Sequence, residues 1–169
     1  MQEISDVLVN EKAEELVKAF RRAKKTFGTA ESCTGGLISK SVTDVAGASE
    51  IYVGSVVSYA NSVKAGLLGV SEKTLASVGA VSADCAMQMA LGARESLGVD
   101  VAVSVTGIAG PGGGTDEKPV GLVYVAVCFD DDKVVCQKCN FTGPRADVRR
   151  QSAVAAMEMA INAVSNVKI

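Results

Sequence analysis

The chain has 169 residues, 48% hydrophobic and 21% charged, with 17 Lys+Arg against 19 Asp+Glu and a formal charge of -2. At ~150 residues per domain this is one domain, long enough to bury a core, and 17 Gly against only 3 Pro exclude a linker or low-complexity chain. A mean hydropathy of +0.26 is high, yet no apolar run approaches the ~18 residues of a membrane span; the excess points to buried strands and a homo-oligomer interface, and a pI near 5.2 without a basic arm argues against nucleic acid as a partner.

Residues 1–10 carry little pattern and are expected to be a loose lead-in to a single domain over 11–169. An amphipathic helix follows over 11–25, with Leu16, Val17 and Phe20 on its apolar face, acids first and bases last. Residues 26–30 read as a short strand, 31–36 as a turn and 37–45 as a helix. Residues 51–59 are β-rich, and 62–68 and 72–78 read as short helices. Ser82 is placed to cap a longer helix that Gly98 stops. A strand over 100–106 runs into a glycine loop over 107–114. Strands over 120–129 and 133–141 meet across Asp130, Asp131 and Asp132, as a hairpin would, and a helix over 146–164 closes the chain. This order predicts an α/β fold, a three-layer α/β/α sandwich. Its sheet should be mixed but mainly parallel, with about five strands and one C-terminal antiparallel hairpin. Ligands of such sheets gather at the carboxyl ends of the strands. The turn after Ala30, the segment around Tyr59 and the loop after Thr106 therefore share one expected crevice.

Histidine is absent. That removes the Ser-His-Asp triad, the Cys-His pair and every His-ligated zinc site. Proton transfers in an enzyme of this composition fall to Lys, Tyr, Asp, Glu or Cys. With no Trp, 3 Tyr and 4 Phe, a base-stacking surface is also thin. The 5 cysteines are odd in number and no signal-peptide pattern is seen, so a reducing cytoplasmic setting is expected. Cys136 and Cys139 have the spacing of half a metal site. They lie in a strand-like run, where residues three apart face opposite sides, and no metal is expected.

Four motifs are candidates for chemistry. Glu31-Ser32-Cys33-Thr34-Gly35-Gly36 stands where a strand hands over to a helix, a turn that aims several free N–H groups at one point. Ser32 is placed to be a nucleophile, with the amides of Cys33, Thr34, Gly35 and Gly36 as oxyanion donors; a serine cap with glycines for a tight turn fits the spacing as well. Ser58-Tyr59-Ala60-Asn61-Ser62-Val63-Lys64 supplies a lysine and a tyrosine at a second strand-to-helix junction. A lysine of depressed pKa is the usual base where histidine is missing, and a tyrosine can relay its proton. Taken alone, the two are equally a solvated Lys and a half-buried Tyr. Thr106-Gly107-Ile108-Ala109-Gly110-Pro111-Gly112-Gly113-Gly114 lets backbone amides approach a phosphate. It is not a Walker A loop, since Gly113 stands where the lysine belongs, nor a dinucleotide fingerprint, since no helix follows directly. Last, Lys118-Pro119-Val120-Gly121 and Phe141-x-Gly143-x-Arg145 offer Arg145 as a fork for phosphate or carboxylate, while Arg149 and Arg150 read as surface charges.

In this order the motifs resemble the CinA C-terminal domain family, whose members include nicotinamide mononucleotide amidohydrolases. The resemblance runs from about residue 11 to about residue 164 and meets no departure at the motif positions. It implies the freestanding form of a domain often fused behind a larger nucleotide-processing one. It also implies deamidation of nicotinamide mononucleotide, a small-molecule nucleotide substrate, to nicotinate mononucleotide and ammonia. It carries over Ser32 as nucleophile and Tyr59 and Lys64 as base partners, without a cofactor. The substrate would be held by Glu31, Asn61, Thr106, Gly107, Ile108, Ala109, Gly110, Gly112, Gly113 and Arg145. A non-catalytic nucleotide-binding module and a serine-lysine peptidase stand as the competing readings.

Overall fold

The computed structural model describes residues 5–165. Helix α1 (Asp6–Ala23) leads into β1 (Phe27–Glu31), α2 (Leu37–Thr43) and β2 (Tyr52–Val57), with a short 3-10 turn at Ala48–Glu50. Helices α3 (Asn61–Leu68), α4 (Glu72–Ser77) and α5 (Ala83–Leu97) precede β3 (Val101–Gly107), β4 (Leu122–Phe129), β5 (Lys133–Asn140) and α6 (Arg145–Val164). The sheet order is β2-β1-β3-β4-β5. β2, β1 and β3 pair in parallel, and β3-β4 and β4-β5 are antiparallel. Only β4 runs against the others, as the expected hairpin requires.

The three layers follow from alternation along the strands. Val101, Val103 and Val105 of β3 and Val123, Val125 and Val127 of β4 pack into the core shared with α1 and α6. Their neighbours Ala102, Ala126 and Cys128 face α5. Period-2 side chains thus give one large-residue face and one small-residue face. The small face brings α5 close enough for the Ser104 hydroxyl to donate to the Ala86 carbonyl at 2.6 Å. Gly92 of α5 touches α3 in the same manner, since a Cβ there would lie 1.9 Å from the Leu68 carbonyl oxygen. That contact seats α3, the helix that carries Lys64.

Two expectations shift. The lead-in expected over 1–10 is already helical from Asp6, and residues 1–4 lie outside the described residues. Val9 opens the buried stripe Val9, Ala13, Leu16, Val17 and Phe20, and Asp6 pairs with Arg150 of α6 at 2.7 Å. The 3-10 turn was not foreseen; Gly47 enters it at a φ of 78°. The capping expectations for α5 hold. Ser82 accepts from the Cys85 amide, and Gly98 ends the helix at a φ of 62°.

Candidate functional site at the strand ends

β1 and β2 end level and β3 runs two residues further, with Glu31 opposite both Val57 and Val105. The next residues of the three strands are therefore brought side by side: Ser32, Ser58 and, from β3, Thr106. The ladder runs one step further, as the Ser32 amide donates to the Val105 carbonyl and the Ser58 amide to the Glu31 carbonyl. These residues lie at the carboxyl edge of the parallel strands, where ligands of such sheets gather.

Lys64 lies on the first turns of α3, yet only 1% of it is exposed. Its Nζ stands 2.9 Å from the Ser32 Oγ, 2.5 Å from the Ser58 carbonyl oxygen and 3.4 Å from that of Tyr59. Burial holds its pKa below the ordinary value of 10.5, because the charged form loses its hydration there. Ser32 itself is 9% exposed. Cys33, the other nucleophile of the turn, is buried with its thiol pushed up to about 11, which leaves almost no thiolate at neutral pH.

The turn after Ser32 is braced from two sides. The buried Glu31 carboxylate accepts from the amides of Gly36 at 2.9 Å, Ile38 at 3.2 Å and Ser39 at 2.8 Å. It thereby satisfies the free N–H groups that open α2, and it belongs to the scaffold of the turn. From the other side the Arg149 guanidinium donates to the carbonyls of Cys33 at 3.2 Å and Thr34 at 2.6 Å. The oxyanion donors expected over 33–36 are correspondingly fewer. The Gly36 amide is spent on Glu31, and the Gly35 amide on the Ser32 carbonyl at 3.1 Å. Among the described residues the amides of Cys33 and Thr34 donate to no oxygen, and the Cys33 amide faces its own thiol. Gly35 and Gly36 serve the turn through their φ values of 57° and 93°.

The remaining expected residues are nearby, with several differences. The Tyr59 side chain is 64% exposed, and its hydroxyl accepts from Arg145 Nη2 at 3.2 Å. Its link to Lys64 is through the backbone carbonyl, and among the described residues its phenol has no hydrogen bond to Lys64 or Ser32. Arg145 also donates to the Gly110 carbonyl at 2.7 Å, so it ties the glycine loop to the Tyr59 segment. The Thr106 hydroxyl is used internally, on the Ala80 carbonyl at 2.8 Å. Ala109 and Gly110 are buried, Gly107 and Ile108 half-buried, and Gly112, Gly113 and Asn61 exposed. Arg149 had the look of a surface charge. Its position four residues after Arg145, on the same helical face, was the available signal for its role. Among the described residues no cluster of three or more His, Cys, Asp and Glu could hold a metal, and no helix is long and apolar enough to cross a membrane.

Known proteins similar to this chain are numerous. The model of the CinA C-terminal domain matches residues 9–164. A CinA-like protein of Thermotoga maritima is 47% identical over 150 residues, 88% of this chain and 36% of the relative. One of Leptospira borgpetersenii is 51% identical over 140 residues, 83% of this chain and 34% of the relative. The chain thus spans about a third of the curated relatives it matches. Among solved structures, the competence/damage inducible protein CihA of Agrobacterium tumefaciens superposes with a TM-score of 0.89 at 39% identity. That match covers 96% of this chain and 99% of the other. A CinA superfamily protein of Klebsiella pneumoniae gives a TM-score of 0.89 at 31% identity, covering 94% and 98%. With the family's model matched from α1 to the end of α6, and the serine turn, lysine helix and glycine loop all in place, the chain belongs to the CinA C-terminal domain family.

Proposed function

We propose that the protein hydrolyses the carboxamide of nicotinamide mononucleotide to nicotinate mononucleotide and ammonia, using Ser32 as nucleophile and Lys64 as base. The observation that carries this reading is the buried lysine with its Nζ 2.9 Å from the Ser32 Oγ. A neutral amine has two N–H donors and one lone pair. The carbonyls of Ser58 and Tyr59 take the two donors, and the lone pair is then left for the Ser32 hydroxyl proton.

The steps follow from that arrangement. Ser32 Oγ bonds to the carboxamide carbon as its proton passes to Lys64. The carbonyl electron pair moves onto oxygen, where the amides of Cys33 and Thr34 meet it. Collapse breaks the C–N bond, and the leaving nitrogen takes the proton back from Lys64 and departs as ammonia. Water, losing a proton to the same amine, bonds to the ester carbon; collapse breaks the bond to Oγ, which takes that proton back from Lys64 as the carboxylic acid leaves. Arg145 and the glycine loop hold the ribose phosphate, and Tyr59, through its hydroxyl on Arg145, positions that cation.

Ammonia release from nicotinamide mononucleotide, with nicotinamide as the control for phosphate recognition, tests the reading. Ser32→Ala is expected to lower kcat by at least about ten-thousandfold while nucleotide binding and the thermal melt stay close to wild type. Binding without turnover in the wild-type protein would leave a nucleotide-binding module. Near wild-type kcat in the variant would remove Ser32 from the chemistry.

A further inference from the structure

Among the described residues two amides of the serine turn donate to no oxygen, and each belongs to a peptide unit whose carbonyl receives a hydrogen bond. The Cys33 N–H shares its peptide with the Ser32 carbonyl, which accepts from the Gly35 amide at 3.1 Å. The Thr34 N–H shares its peptide with the Cys33 carbonyl, which accepts from Arg149 Nε at 3.2 Å. In a trans peptide the C=O and N–H point in opposite directions. A donor on the carbonyl side therefore fixes where the N–H points on the other side. Amide resonance also makes that N–H a stronger donor when its carbonyl is polarised, and most strongly when a cation does the polarising.

Among the described residues Arg149 makes no hydrogen bond beyond those to the Cys33 and Thr34 carbonyls and no ion pair. Among the described residues the ion pairs of the α6 basic residues are those of Arg150, with Asp6 and Asp147. The Arg149 fork ends on two successive carbonyls of the turn, the second contact being the shorter at 2.6 Å. A lysine has no such planar fork.

We propose that Arg149 is a positioning residue for the reaction: from behind the turn it aims and polarises the Thr34 amide toward the oxyanion formed at Ser32. The inference rests on the deamidase reading above and assigns Arg149 no contact with substrate. Its benefit appears where negative charge develops, so it acts on kcat and leaves ground-state binding alone.

The test compares wild type with Arg149→Ala, Arg149→Met and Arg149→Lys in steady-state ammonia release from nicotinamide mononucleotide. Loss of a whole oxyanion donor costs about 100- to 1000-fold in kcat, so weakening one from behind is expected to cost about 10- to 100-fold, with KM within about twofold. Arg149→Lys, which keeps a cation but can reach fewer acceptors, should fall between. The acid limb of the pH–kcat profile should stay where it is, because Lys64 is untouched. Guanidinium added to Arg149→Ala should restore part of the rate and should do nothing for Ser32→Ala. A mere structural support would lower the thermal melt and raise KM as well, rather than confine the loss to kcat. Arg149→Met keeps the aliphatic stem and decides the matter by the same criteria if the alanine variant does not fold. A kcat within about twofold of wild type in the folded Met or Ala variant overturns the inference, as does a loss expressed wholly in KM. Absence of ammonia release from wild type itself overturns the deamidase reading, and this inference with it. Wild-type turnover with an unaffected Arg149 variant overturns this inference alone.

Discussion

The serine turn over 31–36 and the glycine loop over 107–114 leave neighbouring parallel strands and are both rich in glycine, but they are held in different ways. The first is gripped from within by the Glu31 carboxylate, from behind by Arg149 and from the sheet by the Val105 carbonyl. The second is fastened at its root, where the Ile108 amide donates to Leu122 and the Gly110 carbonyl accepts from Arg145. From residue 111 to 117 it is exposed. A nucleophile and its oxyanion donors must be fixed before the substrate arrives, since only preorganised dipoles lower a barrier without reorganising. A phosphate-binding loop needs its backbone accessible. Glycine serves both ends: positive φ values in the turn, and open approach in the loop.

The largest effect that would sharpen this contrast is expected at Lys64. Arginine keeps the charge but cannot give up its proton, so Lys64→Arg should lose about a thousandfold or more in kcat. A binding module would instead keep its ligand affinity in that variant, and substantial turnover by it would remove lysine as the base. In the wild type, kcat should rise with pH as Lys64 loses its proton, with a midpoint below 10.5. The same group has a stability signature of the same sign. Between its lowered folded value and 10.5 the unfolded chain binds more protons, so stability should rise with pH over that window. Lys64→Met should abolish that slope in urea titrations.

The grip on the turn is tested by Glu31→Ala. Three amides lose their acceptor, one of them at a buried position. Each buried donor left unpaired costs about 1–3 kcal/mol, so a loss of about 2–4 kcal/mol in chemical unfolding is expected once water reaches the two outer groups. A variant as stable as wild type would show that the turn is held without its carboxylate. The smallest effect concerns the open loop. Arg145→Ala should raise KM for the nucleotide about tenfold, about 1.4 kcal/mol, and leave kcat nearly unchanged, because a phosphate remote from the carboxamide contributes uniform binding. A pure kcat defect would instead place Arg145 with the pinned turn.

Much of this was readable in the chain. The valine-rich runs at 101–105 and 123–127, the Ser82 and Gly98 signals and the aspartate turn between β4 and β5 are local features, and the elements formed there within a few residues. The absence of histidine leaves a lysine to serve a serine, and the two meet at hydrogen-bond distance. Two charged residues differ from the sequence expectation for one reason. Glu31 was expected to face substrate and Arg149 to face solvent, but both are spent on backbone groups of the serine turn. A side chain that bonds to backbone leaves no partner residue type in the sequence to betray it.

Periodicity and local propensity thus determined the order of strands and helices, and residue chemistry limited who can move a proton. Distances across the chain were decided only by the tertiary structure. Lys64 and Ser32 are 32 positions apart, and Arg149 reaches Cys33 across 116. Those meetings depend on the register that sets Glu31 opposite Val57 and Val105, on Gly92 bringing α3 against α5, and on α6 packing over β3 and β4 with its first turns beside the serine turn. Burial also decides which state of the lysine is favoured. The sequence carries the amine, but its depressed pKa comes from the loss of water around it, which arises only when the fold closes.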